Sequence, residues 1–136
     1  MSQENVEFVR HAFAEFGLSY AGVEQAARAG VFAPDIEFDF SALYPDGPII
    51  RGIETWRGYA DSLPWGRSLK LEPERFIDVE DERVLVFLRG TARKKGGGVP
   101  VEARTAYEIT IRDGVVARLK VYADPEKARE AAGLPE

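Results

Sequence analysis

The spacing of apolar positions divides the chain into an opening helical part and a longer part that reads as strand. From about Glu4 to Phe16, Val6, Val9, Phe13 and Phe16 fall on one helical face, with Ala12 beside them and Phe8 at its edge. Ser2 and the acidic Glu4 mark a helix start, and Gly17 marks its end. Gly22 to Gly30 predicts a shorter helix with Val23, Ala26 and Ala27 inward. Ala33-Pro34 breaks that helix, because proline disfavours helical backbone in the residue before it. From Asp35 the period changes to two. Ile36, Phe38 and Phe40 alternate with Glu37, Asp39 and Ser41, the pattern of a half-buried strand. Turn signals at Pro45-Asp46-Gly47-Pro48 follow, then helical spacing over Ile53 to Leu63, which Pro64 stops.

The second half predicts four strands: Leu69 to Val79, Arg83 to Lys94, Val99 to Arg112 and Val115 to Ala123. Their joints are Glu80-Asp81-Glu82, the triple glycine Gly96 to Gly98, and Asp113-Gly114. The last is a strong two-residue hairpin signal, since both central positions require positive φ. Asp124-Pro125 opens a short final helix, with the aspartate as N-cap and proline at the first helical position. Helices, one strand, a helix and four consecutive strands define an α+β fold with an antiparallel sheet and its helices on one face. Residues 1–136 contain no internal repeat or linker and are expected to form one domain.

Composition narrows the function more than the fold. A net charge of −5 over 136 residues argues against nucleic-acid binding, which relies on clustered Lys and Arg. The densest basic run, Arg93-Lys94-Lys95, leads straight into glycines and reads as a solvated hairpin tip. With no cysteine and one histidine, thiol nucleophiles and transition-metal sites are not expected. Neither a metal nor any other cofactor is predicted. The polar start and the lack of a long apolar run predict a soluble, cytoplasmic protein without membrane attachment.

Several strings resemble the SnoaL-like family of the nuclear-transport-factor-2-like (NTF2-like) superfamily. They are Asn5-Val6-Glu7-Phe8-Val9-Arg10 with Ala12-Phe13, Pro34-Asp35-Ile36-Glu37-Phe38-Asp39, Arg51-Gly52, and Arg112-Asp113-Gly114-Val115-Val116. Val121-Tyr122, Asp124 and Glu130-Ala131-Ala132-Gly133-Leu134 complete the match. The resemblance implies a cone-shaped, strongly curved sheet whose concave face encloses a pocket beneath the helices. It also implies a homodimer through the outer sheet face. It does not imply one activity, because this fold hosts isomerases, cyclases, dehydratases, hydrolases and plain binding proteins.

The inward positions predict an aromatic pocket with few polar groups. Phe16 comes from the first helix, Phe38 and Phe40 from the first strand, and Trp56 and Tyr59 from the third helix, with Trp65 following it. On the third of the four late strands, Ala103, Thr105, Tyr107, Ile109 and Ile111 form the less polar face. Phe13 and Ile36 are read as core filling; Trp56, Tyr59, Phe40 and Tyr107 suit a core and a ligand wall equally well. The ligand-contact set is therefore Phe16, Phe38, Phe40, Trp56, Tyr59, Trp65 and Ile109, with Tyr107 as the one candidate catalytic group.

Ketosteroid isomerases use a carboxylate base, a tyrosine and a protonated aspartate. Those positions fall here on Phe40, Ala12 and Tyr107, so steroid isomerisation by that mechanism is rejected. Nor do the inward residues assemble the Asp-Arg-Asp set of limonene-epoxide hydrolases. A cyclase-like acid/base is expected as histidine near position 107, where this chain carries Tyr107. A phenol is a poor base near neutral pH but a good hydrogen-bond donor. His11 lies opposite its helix's apolar stripe and is expected to be exposed. Asp39 is expected to make a structural hydrogen bond, and Arg89 to face solvent or a partner subunit.

Two readings remain. The first is a pocket that binds, and in an enzyme would isomerise, cyclise or hydrolyse, a small apolar ring-containing molecule. The second is a non-catalytic interaction or scaffolding module whose aromatics pack solidly.

Overall fold

The computed structural model describes residues 2–62, 68–80, 82–93 and 98–134. Helix α1 (Ser2–Phe16) ends where Gly17 adopts a φ of 71° and donates its amide to the Phe13 carbonyl. Strand β1 (Leu18–Ser19) is short, and Ser19 then caps α2 (Tyr20–Arg28) by accepting from the Gly22 amide at 3.1 Å. Strand β2 (Phe32–Ala42) turns back through residues 43–48 to β3 (Ile49–Arg51), and α3 (Ile53–Ser62) follows. The remaining elements are β4 (Lys70–Val79), β5 (Arg83–Ala92), β6 (Val101–Arg112), β7 (Val115–Tyr122) and α4 (Pro125–Ala131). Leu63, Pro64 and Trp65, together with Asp81 and residues 94–97 of the basic and glycine run, lie outside the described residues.

The sheet order is β1-β4-β5-β6-β7-β2-β3. Hairpins make β4 through β7 successively antiparallel, and the Asp113-Gly114 turn has the expected positive φ values of 55° and 79°. One pairing departs from the antiparallel expectation: β2 runs parallel to β7. No tight turn joins these two strands, so nothing in the local sequence fixes their relative sense. Register shifts between Pro73 and Arg75, between Thr110 and Ile111, and along β2 interrupt the ladder, and such bulges bend strands. The result is an open α+β cone. Pro34 lies within β2, inside one of these shifts, where a missing amide donor is tolerated. Strands β1 and β3 are too short to leave a periodic signal.

Alternation along the strands divides the core between the two faces. On the inner face Val84, Val86, Leu88, Ile109, Leu119 and Val121 meet Val6 and Val9 of α1, with Trp56 and Tyr59 of α3 packed against them. On the outer face Leu85, Ala106 and Tyr122 meet Ala128 of α4, and Arg129 lies over the Phe87 ring. Helix α4 therefore corrects the expectation that all helices share one face. Its N-cap is as predicted, with Asp124 accepting from the Glu126 amide at 2.9 Å. Arg57 of α3 pairs with Glu24 of α2, which ties the two helices beside the inner face.

Candidate functional site

Helix and sheet do not close completely on the inner face. A cavity of about 350 Å³ lies between β2, α3 and the β4–β7 wall, within the size range of small-molecule sites. One side is aromatic. Phe38 of β2 stacks on Trp56 of α3 at 6.0 Å between ring centres, and Phe40 stacks on Tyr59 at 4.7 Å. These two parallel pairs follow from matched periods. Two residues along a strand and three along a helix each return to the same face, so positions 38/40 and 56/59 meet in register.

The opposite side is mostly aliphatic, with Gly90 and Ala103 leaving room between larger side chains. Leu71, Gly90 and Ala103 are cross-strand neighbours on β4, β5 and β6, and all three line the cavity. The β6 residues Val101, Ala103, Thr105 and Tyr107 follow one another down this wall at every second position. They span about 20 Å of strand at roughly 3.4 Å per residue. Val101 is 60% exposed at the outer end, while Tyr107 lies deep between Val86 and Val121.

The polar groups on this lining are few and uncharged. Among the described residues Asp, Glu, Lys, Arg and His are all missing from it. The hydroxyl oxygens of Tyr59 and Thr105 are buried with no hydrogen-bond partner among the described residues. Burial also pushes the Tyr107 phenol well above its ordinary value of 10.0, so it stays protonated and can donate but not act as a base. Among the described residues no group of three or more His, Cys, Asp or Glu side chains could hold a metal ion.

The predicted ligand-contact residues do not all meet. Phe38, Phe40, Trp56, Tyr59 and the candidate Tyr107 line the large cavity together. Phe16 and Ile109 instead line a separate void of about 40 Å³ under α1 and α2. Ile109 continues the alternation of Tyr107, but the β6 wall has by then passed beneath α1. Trp65 lies outside the described residues. Of the three positions compared with ketosteroid isomerase, Phe40 and Tyr107 face the large cavity and Ala12 faces the small void. Thr105 and Gly90 are wall residues that the aromatic pattern did not single out. The available signals were a lone hydroxyl within an apolar alternation, and a glycine inside a strand.

The outer face carries the charges instead. Asp39 is 2% exposed and accepts hydrogen bonds from the Ser41 amide and hydroxyl at 2.9 and 2.6 Å, and from Arg118 at 2.7 Å. Burial works against its charge. The Ser41 hydrogen bonds, the nearby Lys120 charge and the Arg118 bond outweigh that cost and hold the carboxyl below its ordinary 3.8. Glu108, also buried, accepts from Arg83 at 3.1 Å, and Arg118 bridges to Glu37 at 2.8 Å. This network supports the structural role expected for Asp39. Arg89 lies on the same outer face, paired with Glu72 at 3.2 Å. His11 is exposed and pairs with Glu15.

No protein-family model and no curated protein matches the sequence. Solved structures, by contrast, align over nearly all of the chain. A protein from Jannaschia sp. CCS1 described as a SnoaL-like polyketide cyclase is 22% identical, with 99% of this chain and 95% of that one covered and a TM-score of 0.69. An NTF2-like protein from Burkholderia xenovorans LB400 is 25% identical over 97% and 98% of the two chains, with a TM-score of 0.63. TerC, co-crystallised with polyporic acid, is 21% identical over 95% and 98%, with a TM-score of 0.65. The fold is thus the NTF2-like one, shared with SnoaL-like and ketosteroid-isomerase-like proteins, as the sequence motifs led us to expect. No described helix is long and apolar enough to cross a membrane.

Proposed function

We propose that this protein binds a small, mostly apolar, ring-containing molecule in the cavity between α3 and the β4–β7 wall. The observation that carries the proposal is the pairing of the stacked Phe38/Trp56 and Phe40/Tyr59 rings with a facing, mostly aliphatic wall that Gly90 and Ala103 hollow out. Flat apolar surface gains most from leaving water against such a wall. Tyr107 and Tyr59 orient a carbonyl or hydroxyl on the ligand. That TerC was co-crystallised with polyporic acid adds support from a protein of the same fold.

Among the described residues the lining offers no carboxylate or imidazole to carry a proton, so its contribution to a reaction would be hydrogen-bond donation and shape. A cyclisation or isomerisation would need an enolate stabilised by the Tyr107 phenol, with proton transfer supplied by the substrate or by solvent. Binding without turnover needs nothing further. The alternative of a solidly packed interaction module fits less well, since the aromatics border a void, although the loss of the recognised acid/base positions that motivated it stands. A homodimer through the outer sheet face belongs to the proposal as well, and sedimentation at twice the chain mass is the expected outcome.

Thermal unfolding with and without steroids, terpenoids and aromatic polyketides tests the binding reading. A ligand present at about a hundred times its dissociation constant adds roughly 2.7 kcal/mol of stability if it binds only the native state. A reproducible shift from one chemical class is expected, and Tyr107→Phe should weaken that response while leaving unliganded stability nearly unchanged. An unaltered ligand response in the variant would remove Tyr107 from its role.

A further inference from the structure

Gly90 is a glycine that its backbone does not require. It lies in the interior of β5, paired without a bulge to Leu71 of β4 and to Ala103 of β6. Its φ is outside the left-handed region that favours glycine. Glycine in such a place weakens a strand, so what it provides is space.

Alternation along β5 places position 90 on the inner face with Val84, Val86 and Leu88. A Cβ added there would stand 2.9 Å from Leu71 Cδ2 and 3.9 Å from Leu69 Cδ1. The Leu71 side chain therefore lies down over Gly90. The glycine beneath is buried, while Leu71 is half-buried and borders the cavity. Leu69 and Pro73 flank Leu71 on the same face of β4, and Leu18 of β1 pairs with it on the far side. With the sheet beneath, a side chain at position 90 leaves Leu71 one direction to move, which is into the cavity.

We propose that Gly90 is a positioning residue for ligand size: it lets Leu71 lie flat against the sheet and keeps the cavity broad enough for a fused ring system. Leu71 is the residue that meets the ligand, and Gly90 acts through it. This inference rests on the pocket reading above and adds the pair of residues that sets the breadth of its ligand. The methyl of an alanine at position 90 lifts the Leu71 tip, which a single ring tolerates better than a broad one.

Acetophenone, 2-acetylnaphthalene and 2-acetylphenanthrene carry the same carbonyl on one, two and three rings, and equilibrium dialysis against the full chain compares them. Wild type should bind them with affinity rising roughly fivefold per ring, as each ring adds apolar surface. In Gly90→Ala the ratio of three-ring to one-ring affinity should fall about tenfold, because the displaced Leu71 overpacks the space the third ring needs. Adding Leu71→Val removes the colliding Cδ2 and should restore most of the ratio, a rescue that general loosening of the strand does not produce. Leu71→Phe with Gly90 intact should lower the ratio as well, and it probes the same wall should the glycine variant fail to fold. A ratio unchanged in both single variants, an equal loss for all three ketones, or a ratio that stays low in the double variant overturns this inference and leaves the pocket reading standing. Failure of all three ketones to bind the wild-type chain overturns the pocket reading itself.

Discussion

At the scale of single residues the two faces of the sheet treat polarity in opposite ways. Asp39 and Glu108 are buried on the outer face and are met by Arg118 and Arg83 at 2.7 and 3.1 Å. The hydroxyl oxygens of Tyr59 and Thr105 are buried on the inner side with no hydrogen-bond partner among the described residues. The first arrangement serves stability. Removing the guanidinium in Arg118→Ala leaves Asp39 without its cation, and because Arg118 is partly exposed the cost falls between that of surface and buried pairs. It should be about 2 kcal/mol by denaturant unfolding.

Asp39 also sets a pH dependence. Its folded-state value lies below its ordinary one, so the unfolded chain binds its proton more readily. The stability it contributes is complete above the ordinary value of 3.8 and is lost as pH falls through the lower folded value. The stability gap between wild type and Asp39→Asn should therefore be widest near neutral pH and shrink below about pH 4. A gap that stays constant through this range would remove the charge from the explanation.

At the scale of elements, the loop between β2 and β3 holds one wall of the cavity in place. The Phe40 amide donates to the Pro48 carbonyl at 2.9 Å, and a side chain at Gly47 would collide with the Phe40 carbonyl. Gly47→Ala should cost about 2 to 3 kcal/mol and also weaken ligand binding, because Phe40 carries the ring under Tyr59. Gly114→Ala meets open space and bears only the strain of positive φ. It should cost about 1 kcal/mol and leave binding intact. Equal effects on binding would detach the loop from the site.

Legibility from sequence followed element length and turn chemistry. Alternation over Ile36 to Phe40 and the Asp113-Gly114 turn specify their strand and hairpin locally, and α1 and α3 carry clear helical stripes. The parallel β2–β7 pairing is a choice between distant segments, and no local pattern encodes it. The same limit misplaced part of the cavity. Alternation assigned Ile109 to the inner face, but only the packing of α1 determined that it would line the small void and not the large cavity. Thr105 was visible as an inward position, yet its significance depends on whether a partner stands opposite, which is a tertiary fact.

At the scale of the whole molecule, core and cavity are different regions of one surface. Below α1 the inner face is packed with Val6, Val9, Ile109 and Ile111, beside a void of only about 40 Å³. Towards α3 and the outer end of β6 it is partly uncovered, and aromatic rings border the gap. Helix α4 covers part of the outer face, so the chain places apolar cover on both sides of the sheet, and the large cavity lies on the inner one. The central claim is that this space is a ligand site.

The most direct measurement compares wild type with Ala103→Trp by calorimetric titration, using the compound that gives the largest thermal shift. Ala103 lines the outer, exposed part of the cavity, so an indole there is expected to block it without opening a void in the core. The account predicts that binding is lost while the unliganded protein unfolds at nearly the wild-type temperature. Undiminished binding in the filled variant would place the ligand elsewhere on the molecule and contradict the account.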